Sequence, residues 1–343
     1  MTTLTRASRE LYRRGPDEAF STLPDLHDHC RQEKQHSSDV WQLPQTLQPQ
    51  VADGQLTLSL ENGETTLLND WSFSQMCRLS GMNKETVNRL QPHTATLAFR
   101  DTLPYGEKPL QLLTTGKTVR SVHGVSYTRL WNSDLLEVVR DTAVDFAPPQ
   151  TAHNGGTGLY CGEQDLFCFL IDPTGWVEID GEAFAPGFFV WNSEVGRRSL
   201  GMQTFWFQRI CQNHIVWDAV QVVEFTRKHT ANVQDGLLEI RRHIEALVAR
   251  RDARRDQFAT VLKKAMHTRL GSDAEDVTKE LTRRNIPQHY IREALAIART
   301  QGGFTIFALV DALTRLTQRV SFAADRADMD GRVAQLLALA LTA

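Results

Sequence analysis

The sequence predicts an α+β protein: a central antiparallel or mixed sheet with covering helices, followed by a helical C-terminal region. Three observations predict it. Strand-grade runs joined by tight turns recur between about 51 and 207; an amphipathic segment at 126–141 interrupts them; and from Asp218 to Gly271 proline disappears, glycine nearly so, and the apolar spacing becomes helical. The organisation read from this is a polar N-terminal extension (1–50), an α+β core (51–225) and a helical region with a basic long helix (226–343).

Residues 1–50 are polar and lack clear periodicity, as in QEKQHSSD and PQTLQPQ, and their backbone is expected to be weakly ordered. LTLSLENGETTLL alternates around Asn62-Gly63, the sequence of a two-residue hairpin turn. Trp71 to Leu90 places Cys77, Gly81, Val87 and Leu90 where a helix-turn-helix would place packing positions and turn glycine. Lys84, Thr86, Asn88 and Arg89 would then face a groove. The preferred reading is plainer, two short helices joined at Gly81 that pack on the sheet, because so short a pattern recurs by chance. Hairpins are expected through Thr115-Gly116 and Gly162-Glu163, and between them Leu130, Leu135, Leu136 and Val139 sit at helical spacing, with Asn132 or Ser133 as N-cap. Beyond Asp235 one long helix is expected, buried through Leu237, Ile240, Ile244, Leu247 and Val248, and then further helices separated by Pro287, Gly302-Gly303 and Gly331.

At 343 residues and 41% apolar composition the chain can build a sizeable core, and its formal charge of −3 excludes a globally basic protein. A locally basic face remains open. Cys30, Cys77, Cys161, Cys168 and Cys211 form no CxxC pair, which argues for reduced thiols and against a zinc ribbon. With no apolar run of membrane-spanning length, the expectation is a cytoplasmic protein with no membrane partner.

The segment from Gly187 to Trp217 stands apart. Phe188 to Trp191 reads as a buried strand, Asn192 to Gly196 (NSEVG) as a turn and Leu200 to Phe207 as the returning strand, with Arg209, Cys211, Asn213 and His214 close behind. NSEVG, the Arg209, Cys211 and Asn213 set, and the later run TIFALVDALTR at Thr305 to Arg315 resemble the phage/plasmid-like protein family labelled domain of unknown function 932. The resemblance runs from about residue 70 to the C-terminus, and departs at His214, where glycine is expected in the family's turn. It implies a phage or plasmid context and names no chemistry.

Catalytic constellations are weak. HNGGTG at 153–158 leads into a strand and not a helix, so it makes a poor phosphate loop. His27, Asp28, His29 and Cys30 are adjacent donors with no evident partner elsewhere, so no metal or cofactor is expected. Asp172, Glu178, Asp180 and Glu194 supply acids for a metal-dependent nuclease, yet no E-x-K follows them. Ser193 lacks a base, and no catalytic residue is assigned. The plainer role of NSEVG is structural, with Asn192 and Glu194 capping the turn and bonding Arg209 across the hairpin.

The strongest charge feature lies between Arg241 and Arg269, where nine Lys or Arg face only Glu245, Asp252 and Asp256. On one helix Arg250, Arg251, Arg254 and Arg255 form a positive face about a turn long, which Arg242, His243 and Lys263 extend. Arg197, Arg198, Gln208, Arg209, Gln212, Asn213 and His214 would add donors along one sheet edge, with Trp191, Trp206 and Phe207 for stacking. The expected function is nucleic-acid binding, single-stranded DNA favoured, in recombination or replication, with self-association into a homo-oligomer allowed. By fold-level analogy, oligomeric strand-annealing proteins suit such a design. The alternatives are a protein-interaction module acting on a host defence factor and the metal-dependent nuclease.

Overall fold

Hairpin chemistry builds two sheets where one was expected. The computed structural model describes residues 10–149, 158–209, 213–216, 225–300 and 303–342, with the backbone alone at Asn213, His214, Val216, Arg251, Arg254 and Thr342. The strands are β1 Glu18–Phe20, β2 Ser37–Gln42, β3 Gln48–Ala52, β4 Gln55–Ser59, β5 Thr65–Leu68, β6 Leu110–Thr115, β7 Thr118–His123, β8 Leu159–Cys161, β9 Leu166–Ile171, β10 Val177–Ile179, β11 Glu182–Asn192, β12 Leu200–Gln208, β13 Asn213–Val216 and β14 Phe225–Arg227. The helices are α1 Leu23–Gln35, α2 Asp70–Leu79, α3 Lys84–Val87, α4 Pro92–Thr102, α5 Asn132–Thr142, α6 Asp235–Ala249, α7 Arg251–His267, α8 Ala274–Arg283, α9 Gln288–Thr300, α10 Ile306–Thr317 and α11 Ala323–Thr342.

The larger sheet is antiparallel in the order β1-β8-β9-β11-β12-β13, with β10 beside β11 and β14 beside β12. The smaller runs β2-β6-β7-β5-β4-β3 and is mixed, because β5 pairs β7 in parallel. The expected turns lie where predicted: Gly63 (φ 84°) turns β4 into β5 and Gly116 (φ 55°) turns β6 into β7. Both values are left-handed backbone that glycine adopts without strain.

Residues 10–50 are not an extension. β1 forms one edge of the larger sheet, β2 and β3 lie at the two edges of the smaller, and α1 buries Leu26 and Cys30. Their polar composition reflects edge strands and a single buried helical stripe, which have one wet side each.

The larger sheet is covered on both faces, which explains its continuous apolar strands. Leu166, Cys168, Leu170, Phe188 and Val190 turn to a core with α1, α5 and α6, whereas Phe167, Phe169, Phe189, Phe205 and Phe207 turn to Ala323, Ala324 and Ala327 of α11. A helical core of α7 to α11 closes on Phe184, Trp206 and Ile215. The smaller sheet has its own core with α2, α3 and α4, built on Phe73, Met76, Val87 and Phe99.

The single long basic helix is two helices broken at Arg250 (φ −110°, ψ 16°). Each serves a different core: Ile240, Ile244 and Leu247 of α6 face α5 and the sheet, while Phe258, Val261, Leu262 and Ala265 of α7 face α10 and α11. The chain bends between the two stripes, at Arg250. Among the described residues no helix is long and apolar enough to cross a membrane.

Candidate nucleic-acid interface

The NSEVG turn, the most distinctive stretch of the sequence, is buried between the two sheets. Asn192 and Ser193 have no exposed surface and Glu194 is 2% exposed. Asn192 Nδ2 donates to the Leu130 carbonyl at 2.9 Å and to Asn132 Oδ1 at 2.8 Å; Ser193 Oγ donates to the Gln164 carbonyl at 2.6 Å and accepts the Arg197 N–H at 2.8 Å. Glu194 Oε2 pairs with Arg120 Nη1 at 3.1 Å, and Oε1 accepts the Asn132 N–H at 2.8 Å. Arg129, which pairs with Asp39 of β2 at 2.6 Å, also donates to the Glu194 carbonyl. Trp71 Nε1 donates to the Val195 carbonyl at 2.7 Å. Every partner is therefore structural, and Arg209 is not among them. Burial pushes the Glu194 carboxyl above its usual range, while Arg120 pulls it back.

An aromatic stack lies on this turn. His123 and Tyr127 are 3.7 Å apart between centroids and within 7° of parallel, and His229 continues the stack at 5.4 Å. A ring nitrogen of His123 lies 3.0 Å from the Val195 carbonyl and Tyr127 Oη donates to that of Glu194 at 2.8 Å. Burial, aided by Arg129, pulls His123 down to about 3 and His229 to about 4, so both are neutral at neutral pH.

The residues expected along one sheet edge are dispersed. Arg197 and Arg198 lie in the turn before β12 and Arg209 follows its far end, so the nine-residue strand separates them by roughly 30 Å. Arg198 is committed to Asp328 through two contacts of 2.8 Å. Arg209 is exposed and stacks over Trp176 at 5.5 Å. Asn213 and His214 do lie on the edge strand β13; Gln212 and Cys211 fall outside the described residues. Trp206 and Phe207 are each 1% exposed, Trp206 being stacked on Phe258 at 4.0 Å, so neither can receive a base. Trp191 alone of the three borders open space, a cleft of about 430 Å³ against α11 that Gln203 and Arg332 also line.

The α6–α7 elbow retains its charge. Arg241, Arg242, Arg250, Lys263 and Lys264 are exposed, and among the described residues none has a carboxylate within ion-pair distance. His243 is half-buried and tilts against Phe225. Arg255 is paired with two carboxylates, Asp252 at 3.2 Å and Asp256 at 3.1 Å. Arg251 and Arg254 lie in the first turn of α7.

The other candidates resolve differently. α3 is a single turn capped by Asn83, Lys84 pairs with Asp70 at 2.6 Å, and Asn88 is buried bonding the Tyr12 backbone, so no DNA-reading helix exists there. Glu194 and the Glu178–Asp180 pair sit at opposite ends of β11, and Asp172 caps its own turn through Thr174, so the four acids are not assembled. HNGGTG lies outside the described residues except Gly158. Of the four adjacent donors on α1, His29 gains partners that spacing did not reveal, Glu33 one turn on and Cys161 from β8. In TIFALVDALTR, Thr305 caps α10 and Asp311 pairs with Arg315 at 2.8 Å, which are helix-building roles.

Comparison with family models, with curated proteins and with solved structures finds no match to this chain.

Proposed function

We propose that this protein binds nucleic acid without base specificity through the α6–α7 elbow, single-stranded DNA being the favoured ligand, in a phage or plasmid recombination or replication setting. The observation that carries the reading is the cationic surface of Arg241, Arg242, Arg250, Lys263 and Lys264, unpaired among the described residues, on a chain of net charge −3. The two helices span roughly 22 and 25 Å at about 1.5 Å per residue, enough to follow several phosphates of a strand. Each phosphate neutralised releases condensed counterions, so affinity is expected to fall linearly on a logarithmic salt scale. The setting rests on the resemblance of NSEVG and TIFALVDALTR to the phage/plasmid-like family.

The test is fluorescence anisotropy of the full chain with labelled single- and double-stranded oligonucleotides between about 50 and 200 mM salt. Salt-sensitive binding that weakens when Arg241, Arg242, Arg250 and Lys263 are replaced by Ala, with the helical circular dichroism retained, supports the proposal. No binding at low salt, or undiminished binding by that variant, overturns it and turns attention to protein partners.

A further inference from the structure

We propose that His29, Glu33 and Cys161 form a zinc site that fastens α1 to the edge of the larger sheet. One ligand atom from each lies within 4.8 Å of the other two. Ligand atoms around a tetrahedral zinc ion are roughly 3.3–3.8 Å apart, given bonds of about 2.0–2.3 Å, so small side-chain rotations close the site. The placement follows from local structure. His29 and Glu33 are i and i+4 on α1 and share a face, and β8 lays Cys161 beneath them in register with Glu18 of β1. Cys161 is 4% exposed and Oε2 of Glu33 is buried, where its neighbour is Arg120 Nη2 at 3.3 Å, whereas His29 is half-exposed and leaves an entry path.

The donor set selects the metal. A thiolate, an imidazole and a carboxylate together match zinc, whereas magnesium and calcium demand oxygen alone. Neutral His29, the Glu33 carboxylate and the Cys161 thiolate bring two negative charges to a divalent ion, with the thiol proton released to solvent as the metal binds. Arg120 stands 3.3 Å from Glu33, but its own charge is answered by Glu194 at 3.1 Å, and Glu18 lies 4.0 Å from His29 Nδ1, so the surroundings bring no excess positive charge to the ion. Three protein ligands leave one coordination position for water.

The test uses the full chain stripped of metal with a chelator and titrated with cobalt(II) as a spectroscopic stand-in, then with zinc. One equivalent of cobalt should bind with a thiolate charge-transfer band and be displaced by zinc. Cys161→Ser should abolish that band, and His29→Gln should weaken cobalt and zinc binding at least about tenfold. Absence of stoichiometric binding overturns the proposal, as does a band that persists in Cys161→Ser or an undiminished affinity in His29→Gln. Should Cys161→Ser fail to fold, His29→Gln, at a half-exposed helix position, decides alone.

Discussion

Oε1 of Glu194 accepts the backbone N–H of Asn132 at 2.8 Å, so a carboxylate 62 residues further along the chain caps the first turn of α5. The residue at the N-cap, Trp131, has no side-chain acceptor to offer. A negative group at a helix N-terminus also meets the positive end of the helix dipole. Because the other oxygen holds Arg120, the turn between two strands of the larger sheet fixes a helix and the smaller sheet at once.

Removing either member of this pair should be costly. Arg120→Ala is expected to lose about 3–5 kcal/mol, since it leaves the buried Glu194 carboxylate without its partner, and Glu194→Ala less, since Glu33 stays 3.3 Å from Arg120. In urea unfolding the double variant should cost less than the sum of the singles by about 0.5–3 kcal/mol. Strict additivity would show that the two residues act independently.

Gly196 and Gly63 both have positive φ, 71° and 84°, but only the first is enclosed. A Cβ at Gly196 would lie 2.6 Å from Cε1 of His123 and 2.9 Å from Cε2 of Tyr127, while at Gly63 it would meet nothing within 4 Å. Gly63→Ala should therefore cost about 1–2 kcal/mol from backbone strain alone. Gly196→Ala should cost at least ~2 kcal/mol more, because the stacked rings must part. Equal unfolding midpoints would refute the difference.

Asp330 is buried on α11, where Thr317 Oγ1 donates to it at 2.7 Å, and burial pushes its carboxyl up to about 7 from 3.8. Between those values the folded protein holds more protons than the unfolded, so this group's contribution to stability falls as pH rises from about 4 to about 7. Asp330→Asn should remove that dependence, so urea midpoints of the variant and the wild type should shift in the variant's favour between pH 5 and pH 8. A constant difference would mean that the carboxyl titrates normally.

His229 works in the opposite sense. Its folded value of about 4 lies below 6.5, so the unfolded chain takes up the extra proton, and stability is lost as pH falls from 6.5 towards 4. His229→Phe keeps a ring in the stack and should flatten this acid limb. The readout is the midpoint difference between pH 7 and pH 5 in the two proteins.

Phe258 of α7 lies on Trp206 of β12 at 4.0 Å and 4° from parallel, joining the helical core to the sheet. Phe258→Ala should destabilise by about 3–5 kcal/mol. Because Trp206 would lose its neighbour, its fluorescence should report the change before global unfolding.

Much of the fold was legible because its signals are local. Asn62-Gly63 and Thr115-Gly116 specify hairpins through glycine's access to positive φ, and the paired runs about NSEVG specify β11 and β12 by composition and turn chemistry. The break at Arg250 was not legible, because Ile240 through Phe258 satisfies a helical period whether one core or two receive it. The sheet edge failed for a different reason: the strand read at Leu200 to Phe207 lies between Arg198 and Arg209 and holds them at its two ends, so their proximity in sequence does not put them together on one edge.

The sequence by itself determined the α+β class, the positions of the hairpins, the helical C-terminal region and the local excess of positive charge, because periodicity, turn residues and composition act over a few residues. Only the tertiary structure decided which polar groups meet. It buried Glu194 against Arg120 and the N-terminus of α5, tied Arg198 to Asp328, left Arg241, Arg242 and Lys263 unpaired among the described residues, and carried Cys161 to His29 and Glu33. These pairings join residues far apart in the chain, and which of them form depends on how two sheets and a bent helix pair pack, a choice governed by the burial of apolar surface.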